Sequence, residues 1–315
     1  MTKHSVLVTG ASGLVGRAVT AGLRQRGDRV FGLDRSESGS GTDPVVACDL
    51  RDVHRLYSLA ADFEPNAVIH CGAHSGPMVS RDNPYDLVSV NVLGTANMLE
   101  LARARRMRRF VYCSSISVYG PTAEGPVPET VLPRPSTVYG ATKLAAEELV
   151  TSYAVEHQVD TVSLRLSWIY GPNRTTSCLL REMIRDAIDG RPTSVPWGAD
   201  FYRQYIHVDD AAASLTAALD APEVTQRVYN ITGGTWQTLA ETAEEIRRVL
   251  PSAKITLGPG PDPKDDYQHE LDIRAAERDL GYVPSVTLAK GIRTYAEALR
   301  ESLGRRPAQA AAEPI

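Results

Sequence analysis

Along the first 170 residues, short runs rich in β-branched and apolar residues alternate with longer amphipathic segments. HSVLVT leads into GLVGRAVTAGLRQR and RVFGLD, and PVVACDL into HRLYSLAADF and NAVIHCG. YDLVSVNVLGTANMLELARA then leads into RRFVYCSS, and residues 137–157 into TVSLRLSWIY. Strands joined through helices run parallel, and a parallel sheet has to be covered on both faces. The chain is therefore expected to be α/β, with a doubly wound parallel sheet. After Gly171 the rhythm is broken by Pro172, Pro192, Pro196, Pro222, Pro251, Pro259, Pro261 and Pro263. A smaller, interleaved C-terminal substrate-binding portion is expected there.

At 315 residues the chain exceeds one small core, so one large domain or two intimate ones are expected. No apolar run approaches bilayer length, and the N-terminus enters VLVTG without the apolar region of an export signal. These features point to a cytoplasmic protein with no membrane partner. A net charge of −4 argues against a nucleic-acid partner. The local exception is RARRMRR at 103–109, with five arginines, which reads as positive charge at the negative end of a helix. Cys48, Cys71, Cys113 and Cys178 show no metal-ligand spacing and read as reduced core residues, so no metal site is expected.

The first chemical motif is TGASGLVG, residues 9–16, directly after a strand and opening a helix. Gly10, Gly13 and Gly16 allow a tight turn, a pyrophosphate close to backbone N–H groups, and close helix–strand packing. Ser12, Leu14 and Val15 lie within the same loop and helix start. The next strand ends at Asp34, where a carboxylate accepts from adenosine ribose hydroxyls and repels a 2′-phosphate. NAD is therefore favoured over NADP, although Arg35 beside it could accommodate the phosphate. Asp49, ending VVACD, either accepts from the adenine amino group or caps the next helix. A Rossmann-like cofactor domain is thus expected over 1–170 with returning segments near 204–232. The substrate-binding portion would take 171–203 and 233–303, and 304–315 a tail.

Tyr139 and Lys143 lie one helical turn apart and project from one face. A phenol ordinarily keeps its proton until about pH 10, and a nearby ammonium together with a positive nicotinamide favours the phenolate. Lys143 could also hold the nicotinamide ribose. Ser115, at the carboxyl end of its strand, could hydrogen-bond the substrate oxygen, completing a proton-transfer set.

With these residues the chain resembles the extended short-chain dehydrogenase/reductases, specifically the NAD-dependent epimerase/dehydratase family, over nearly its whole length. The marks are TGASGLVG, VIHCGA, NVLGTANMLELA, SSISVYG, YGATKLAAE, YGPNR, IHVDDAA and YNITGG. The resemblance implies catalytic roles for Ser115, Tyr139 and Lys143. It implies cofactor contacts for Gly10, Gly13, Gly16, Asp34, Asp49, Leu50, Cys71, Gly72, Ala73 and Asn91. It also implies a homodimer formed through the helices of residues 84–105 and 137–157.

The substrate side departs from the family's pattern. Trp168 stands where nucleotide-sugar members often carry asparagine, although Arg203 matches a phosphate-contacting arginine. Ile116 and Ser117 replace the acid pair of dehydratases, which disfavours dehydration. HSGPM places His74 near the nicotinamide, and Arg81 and Arg174 are candidate anion clamps. The expected function is hydride transfer at a secondary alcohol of a sugar-like substrate. Epimerisation of a nucleotide sugar leads, and NAD-dependent oxidation of a free sugar, sugar acid or lactone is the alternative.

Overall fold

The structure, a computed structural model, describes residues 4–38, 44–263 and 265–304. The elements in order are β1 (Ser5–Thr9), α1 (Leu14–Gln25), β2 (Arg29–Asp34), β3 (Val45–Ala47), α2 (Val53–Phe63) and β4 (Ala67–His70). Next come α3 (Pro84–Val88), which runs through a π-helical turn at Ser89–Leu93 into α4 (Gly94–Ala104), β5 (Arg109–Ser115), α5 (Val138–His157), β6 (Thr161–Leu166) and β7 (Trp168–Tyr170). The later chain adds α6 (Leu179–Asp189), β8 (Pro192–Gly198), β9 (Tyr202–His207), α7 (Val208–Asp220), β10 (Val228–Ile231) and β11 (Trp236–Thr238). It closes with α8 (Leu239–Val249), β12 (Lys254–Gly258), α9 (Arg274–Leu280) and α10 (Leu288–Gly304). Apart from Gly304, the expected tail lies outside the described residues.

The seven-stranded sheet has the order β10-β6-β5-β4-β1-β2-β3, and every pairing in it is parallel. Alternation along each strand feeds two cores. Val6, Val8, Ile69 and Val111 enter one with α1, α7 and α9. Leu7, Val68, Phe110 and Tyr112 enter the other with α2, α4 and α5. The apolar runs of the sequence are continuous because both faces of this sheet are buried. This is the doubly wound, Rossmann-like α/β architecture, and among the described residues no helix is long and apolar enough to cross a membrane.

Two expectations need correction. TVSLRLSWIY is not one strand: β6 ends at Leu166, opposite the last residue of β10, and β7 leaves to pair with β9 in a three-stranded sheet. The chain changes sheets where its neighbour ends, with the Ser167 N–H still donating to the Ile231 carbonyl at 3.0 Å. The arginine cluster does face a helix end, but chiefly that of α7. Arg108 donates to the Leu219 carbonyl at 2.6 Å, and buried Arg109 to that of Ala218 at 2.9 Å. Cations there offset the negative end of the helix dipole.

The later chain builds a third core. Leu180, Met183 and Ile184 of α6, Leu239 and Ile246 of α8, and Ile292 and Tyr295 of α10 pack around Phe201 and Tyr205.

Helix α5 is pinned to the large sheet by charge. Tyr139, Lys143 and Glu147 are all buried on it, four residues apart. Glu147 pairs with Arg165 of β6 at 2.7 Å, the two side chains being 2% and 5% exposed. The hydroxyl of Ser114 also donates to Glu147. Removing one member of a buried pair strands the other charge, at a cost of about 3–5 kcal/mol. Urea unfolding of Glu147→Ala is expected to show a loss of that size, whereas a change below about 1 kcal/mol would mean that the pair does not anchor α5.

Candidate active site

The order of the large sheet reverses between β1 and β4, and a cavity of about 620 Å³ opens at the carboxyl ends of these strands. Crevices of this kind are where open α/β sheets bind ligands. On its β1 side the backbone itself forms the wall. Gly10 has φ +65°, and a Cβ there would sit 2.8 Å from the backbone of Cys71 and Gly72. A Cβ on Gly16 would fall 2.1 Å from the Gly10 carbonyl oxygen. Helix α1 therefore begins hard against the turn, and no side chain caps it, which leaves its first N–H groups for an anion. Asp34 closes the far end: its Oδ2 accepts the Ser12 N–H at 3.0 Å and its Oδ1 that of Arg35 at 2.7 Å. Glycines that admit no Cβ, an uncapped helix start and an oriented strand-end carboxylate fit a dinucleotide such as NAD.

Gly13, Leu14, Val15, Leu50, Cys71, Gly72, Ala73 and Asp49 line the same cavity. The cap proposed for Asp49 belongs instead to Asp52, which accepts from the Arg55 N–H at 2.9 Å. Asp49 pairs with Arg51 at 2.6 Å, and those hydrogen bonds hold its carboxyl below the usual carboxylate range. Arg51 continues to Asp86, which also takes His74 Nε2 at 2.8 Å. His74 lines the cavity but is tied to its rim.

Asn91 is buried and lies outside the lining residues. Its Oδ1 accepts the His74 N–H at 2.8 Å, and its Nδ2 donates to the His74 carbonyl and to Thr142, both at 3.1 Å. From the π-helical turn it holds the loop after β4. A polar chain below it completes the support. The Gly72 N–H donates to Thr9 Oγ1 at 3.0 Å, Thr9 bonds His70 Nδ1 at 2.6 Å, and His70 Nε2 bonds Thr95 at 3.1 Å. Thr95 donates onward to the Asn91 carbonyl at 2.6 Å. With both ends of the chain fixed, the hydroxyls can be satisfied only if Thr9 donates to Nδ1 and Nε2 carries the imidazole proton. Sequence reading passed over Thr9, His70 and Thr95, which appear there as ordinary strand and helix residues.

The opposite wall comes from β5 and α5. Tyr139 is 6% exposed and Lys143 4%, and both line the cavity with Ser115. They reach it because α5 starts on the turn after β5: a Cβ on Gly140 would lie 2.3 Å from the Ser117 carbonyl oxygen. Lys143 Nζ donates to the Cys113 carbonyl at 2.8 Å and stands 6.0 Å from the centre of the Tyr139 ring. Burial works against its charge, but the neighbouring Tyr112 and Tyr139 outweigh it and raise its pKa above the ordinary lysine value. Burial also pushes the Tyr112 phenol up to about 12. Ser115 Oγ accepts the Ser117 N–H at 3.2 Å and donates to Ser117 Oγ at 3.1 Å. Ser117 is a lining residue that the sequence reading weighed only as a missing acid.

Of the three arginines expected to meet an anion, one lines the cavity and two do not. Trp168 and Arg174 line it; Arg174 donates to the Ile169 carbonyl at 2.6 Å and keeps a buried Nε–H without a partner. Arg81 is exposed on the turn before α3 and lies outside the lining residues. Arg203 is buried behind Trp168, its guanidinium 4.2 Å from that ring centre. It is paired with Asp262 and, at 3.1 Å, with Asp265. Burial raises the Asp265 carboxyl to about 6 in spite of Arg203.

The His70 imidazole is fully enclosed, and burial lowers its pKa to about 3 from 6.5. The native state therefore binds fewer protons than the unfolded chain between these values, so its contribution is complete above about pH 6.5 and is lost as pH falls towards 3. Across that window the stability of the wild type is expected to fall more steeply with acid than that of His70→Asn. The difference in slope should approach about 1.4 kcal/mol per pH unit, read from urea titrations at successive pH values, and equal slopes would refute it.

Residues 6–232 match the NAD dependent epimerase/dehydratase family. The chain is similar to UDP-glucuronate 4-epimerase 2 of Arabidopsis thaliana, 29% identical over 323 residues and covering 92% of this chain and 74% of that one. It is also similar to dTDP-glucose 4,6-dehydratase of Streptomyces niveus, 29% identical over 313 residues and covering 94% and 93%. Among solved structures, UDP-glucose 4-epimerase of Thermus thermophilus in complex with NAD shares the fold with a TM-score of 0.83 and 28% identity, over 94% of this chain and 98% of that one. The match runs through the glycine turn, the strand-end serine and the Tyr139–Lys143 helix alike, and the chain belongs to the NAD-dependent epimerase/dehydratase family of enzymes.

Proposed function

We propose that the protein is an NAD-dependent epimerase of a nucleotide sugar, with Ser115, Tyr139 and Lys143 as its catalytic residues. The observation that carries the reading is that these three side chains share one cavity with the glycine turn and Asp34. Relatives that are UDP-sugar 4-epimerases support the substrate class. When bound, NAD supplies the acceptor and donor of a hydride. Tyr139 takes the proton of the sugar hydroxyl as its carbon is oxidised, and returns it when the ketone is reduced from the other face. Lys143, fixed by the Cys113 carbonyl, keeps a positive charge beside the phenol. The Ser115 hydroxyl turns from Ser117 to the substrate oxygen and orients it. Arg174 is the cation of the lining best placed for a substrate phosphate. Buried Ile116 gives a dehydratase no acid or base at that position. In the same reading, residues 1–170 with the returning segments near 204–232 form the cofactor domain, 171–203 and 233–303 bind substrate, and the enzyme works in the cytoplasm.

A second reading, oxidation of a free sugar acid or lactone with release of NADH, is favoured by one observation. Arg203 is already neutralised by Asp262 and Asp265 and screened by Trp168, so a diphosphate would have to displace that contact. Proton NMR with NAD and a panel of UDP-sugars and sugar acids separates the two. A new epimer without net NADH supports the first reading, and NADH rising with an oxidised acid supports the second. Under either, Tyr139→Phe should lower turnover by about 10²–10⁴-fold with NAD affinity kept. Unchanged turnover would remove the assignment.

A homodimer through α3, α4 and α5 belongs to the proposal. Tyr85 on α3, Leu93 in the π-helical turn and Val155 on α5 leave apolar surface, 83%, 52% and 76% exposed. Light scattering is expected to give twice the chain mass of 34.2 kDa, and a monomeric mass would rule the dimer out.

A further inference from the structure

The thiols of two free cysteines, Cys71 and Cys113, have no part in the proposed chemistry, yet the sheet brings them together. Strands β4 and β5 are parallel neighbours that pair Ile69 with Val111 and His70 with Tyr112. One step further along both chains sets Cys71 beside Cys113. Ile69, Val111 and Cys113 share one apolar cluster, and Cys71 packs against it, so the two thiols leave the sheet on the same face. They are close enough for each thiol to act on the other's ionisation. Neighbouring strands lie about 4.7–4.9 Å apart, within the Cα separation of about 4.4–6.8 Å that a disulfide spans. Both residues also line the cavity.

We propose that Cys71 and Cys113 form an oxidisable dithiol in the wall of the cofactor cavity, one that a peroxide closes to a disulfide when NAD is absent. The Cys113 sulfur is the attacking group. The neighbouring Cys71 thiol draws its pKa down against burial, with help from Lys143, while the Cys71 thiol is raised in turn. Thiolates beside cations are the reactive form. The Cys113 thiolate attacks one oxygen of hydrogen peroxide, the O–O bond breaks, and hydroxide leaves, to be protonated to water. The resulting sulfenic acid is attacked by the Cys71 sulfur as its thiol loses a proton, the S–O bond breaks and a second water leaves. Two thiols give up two electrons and the peroxide takes them, and a thiol reductant reverses the change. Cys48 also lines the cavity, but burial pushes its thiol up to about 11, and Cys178 is enclosed in the third core.

The test is intact-mass spectrometry and non-reducing peptide mapping of the full chain after hydrogen peroxide, with and without NAD. NAD-free wild type is expected to lose two hydrogens, to yield one linked pair of peptides holding Cys71 and Cys113, and to be restored by dithiothreitol. NAD at 100-fold its Kd should slow the reaction on the order of 100-fold, by occupying the cavity. Cys71→Ser should instead leave a sulfenic acid on Cys113, trapped by dimedone. Oxygen added to either cysteine of the wild type without a link, a link through Cys48 or Cys178, or a rate indifferent to NAD would overturn the proposal. Protection rests on the family's use of NAD, whereas the mass change is read without turnover, so failure here is distinct from failure of the epimerase reading.

Discussion

Everything in the site depends on how closely β1 and β4 diverge at the reversal of strand order. Helices leaving parallel strands on opposite faces open a crevice there, and the backbone of Gly10 lies so near that of Cys71 and Gly72 that no Cβ fits between them. That contact sets the width of the cavity on its cofactor side. It also explains why the polar chain from Gly72 through Thr9, His70 and Thr95 to Asn91 runs just beneath it. Backbone groups at so tight a crossing cannot reach water, and an unpaired buried group would cost about 1–3 kcal/mol. Neutral His70 suits this role because one nitrogen accepts and the other donates.

The proton-transfer wall is held by a different device. Helix α5 carries Tyr139, Lys143 and Glu147 on one stripe, and each meets the sheet differently: Tyr139 at the cavity, Lys143 at the Cys113 carbonyl and Glu147 at Arg165. The buried ion pair fixes the helix lengthwise, while Gly140 lets its first turn sit on the Ser117 carbonyl. Two anchors at different heights restrain both the rotation and the slide of the helix, so a phenol and an ammonium are presented with little freedom left to lose. Such preorganisation keeps reacting groups aligned without further ordering at the moment of reaction.

Much of this was legible in the chain. The glycine turn, Asp34, Ser115 and the Tyr139–Lys143 spacing are local patterns, each tied to one element, and the structure gathers them around one cavity. What reading along the chain could not supply was a partner remote in sequence. The Asn91 amide meets His74 and Thr142. Arg203 meets Asp262 and Asp265, some sixty residues on. Arg108 and Arg109 looked like the end of their own helix but serve the carbonyls of α7.

The sequence by itself determined the alternation of strand and helix, hence the parallel sheet, and the cofactor turn, because these follow from side-chain period and backbone freedom within a few residues. Only the tertiary structure decided which charges are available to a ligand and which are already matched. It also decided that β7 deserts the large sheet and that Cys71 and Cys113 stand side by side. The physical reason is that pairing, burial and register are properties of two segments at once, and neither segment carries the other's coordinates.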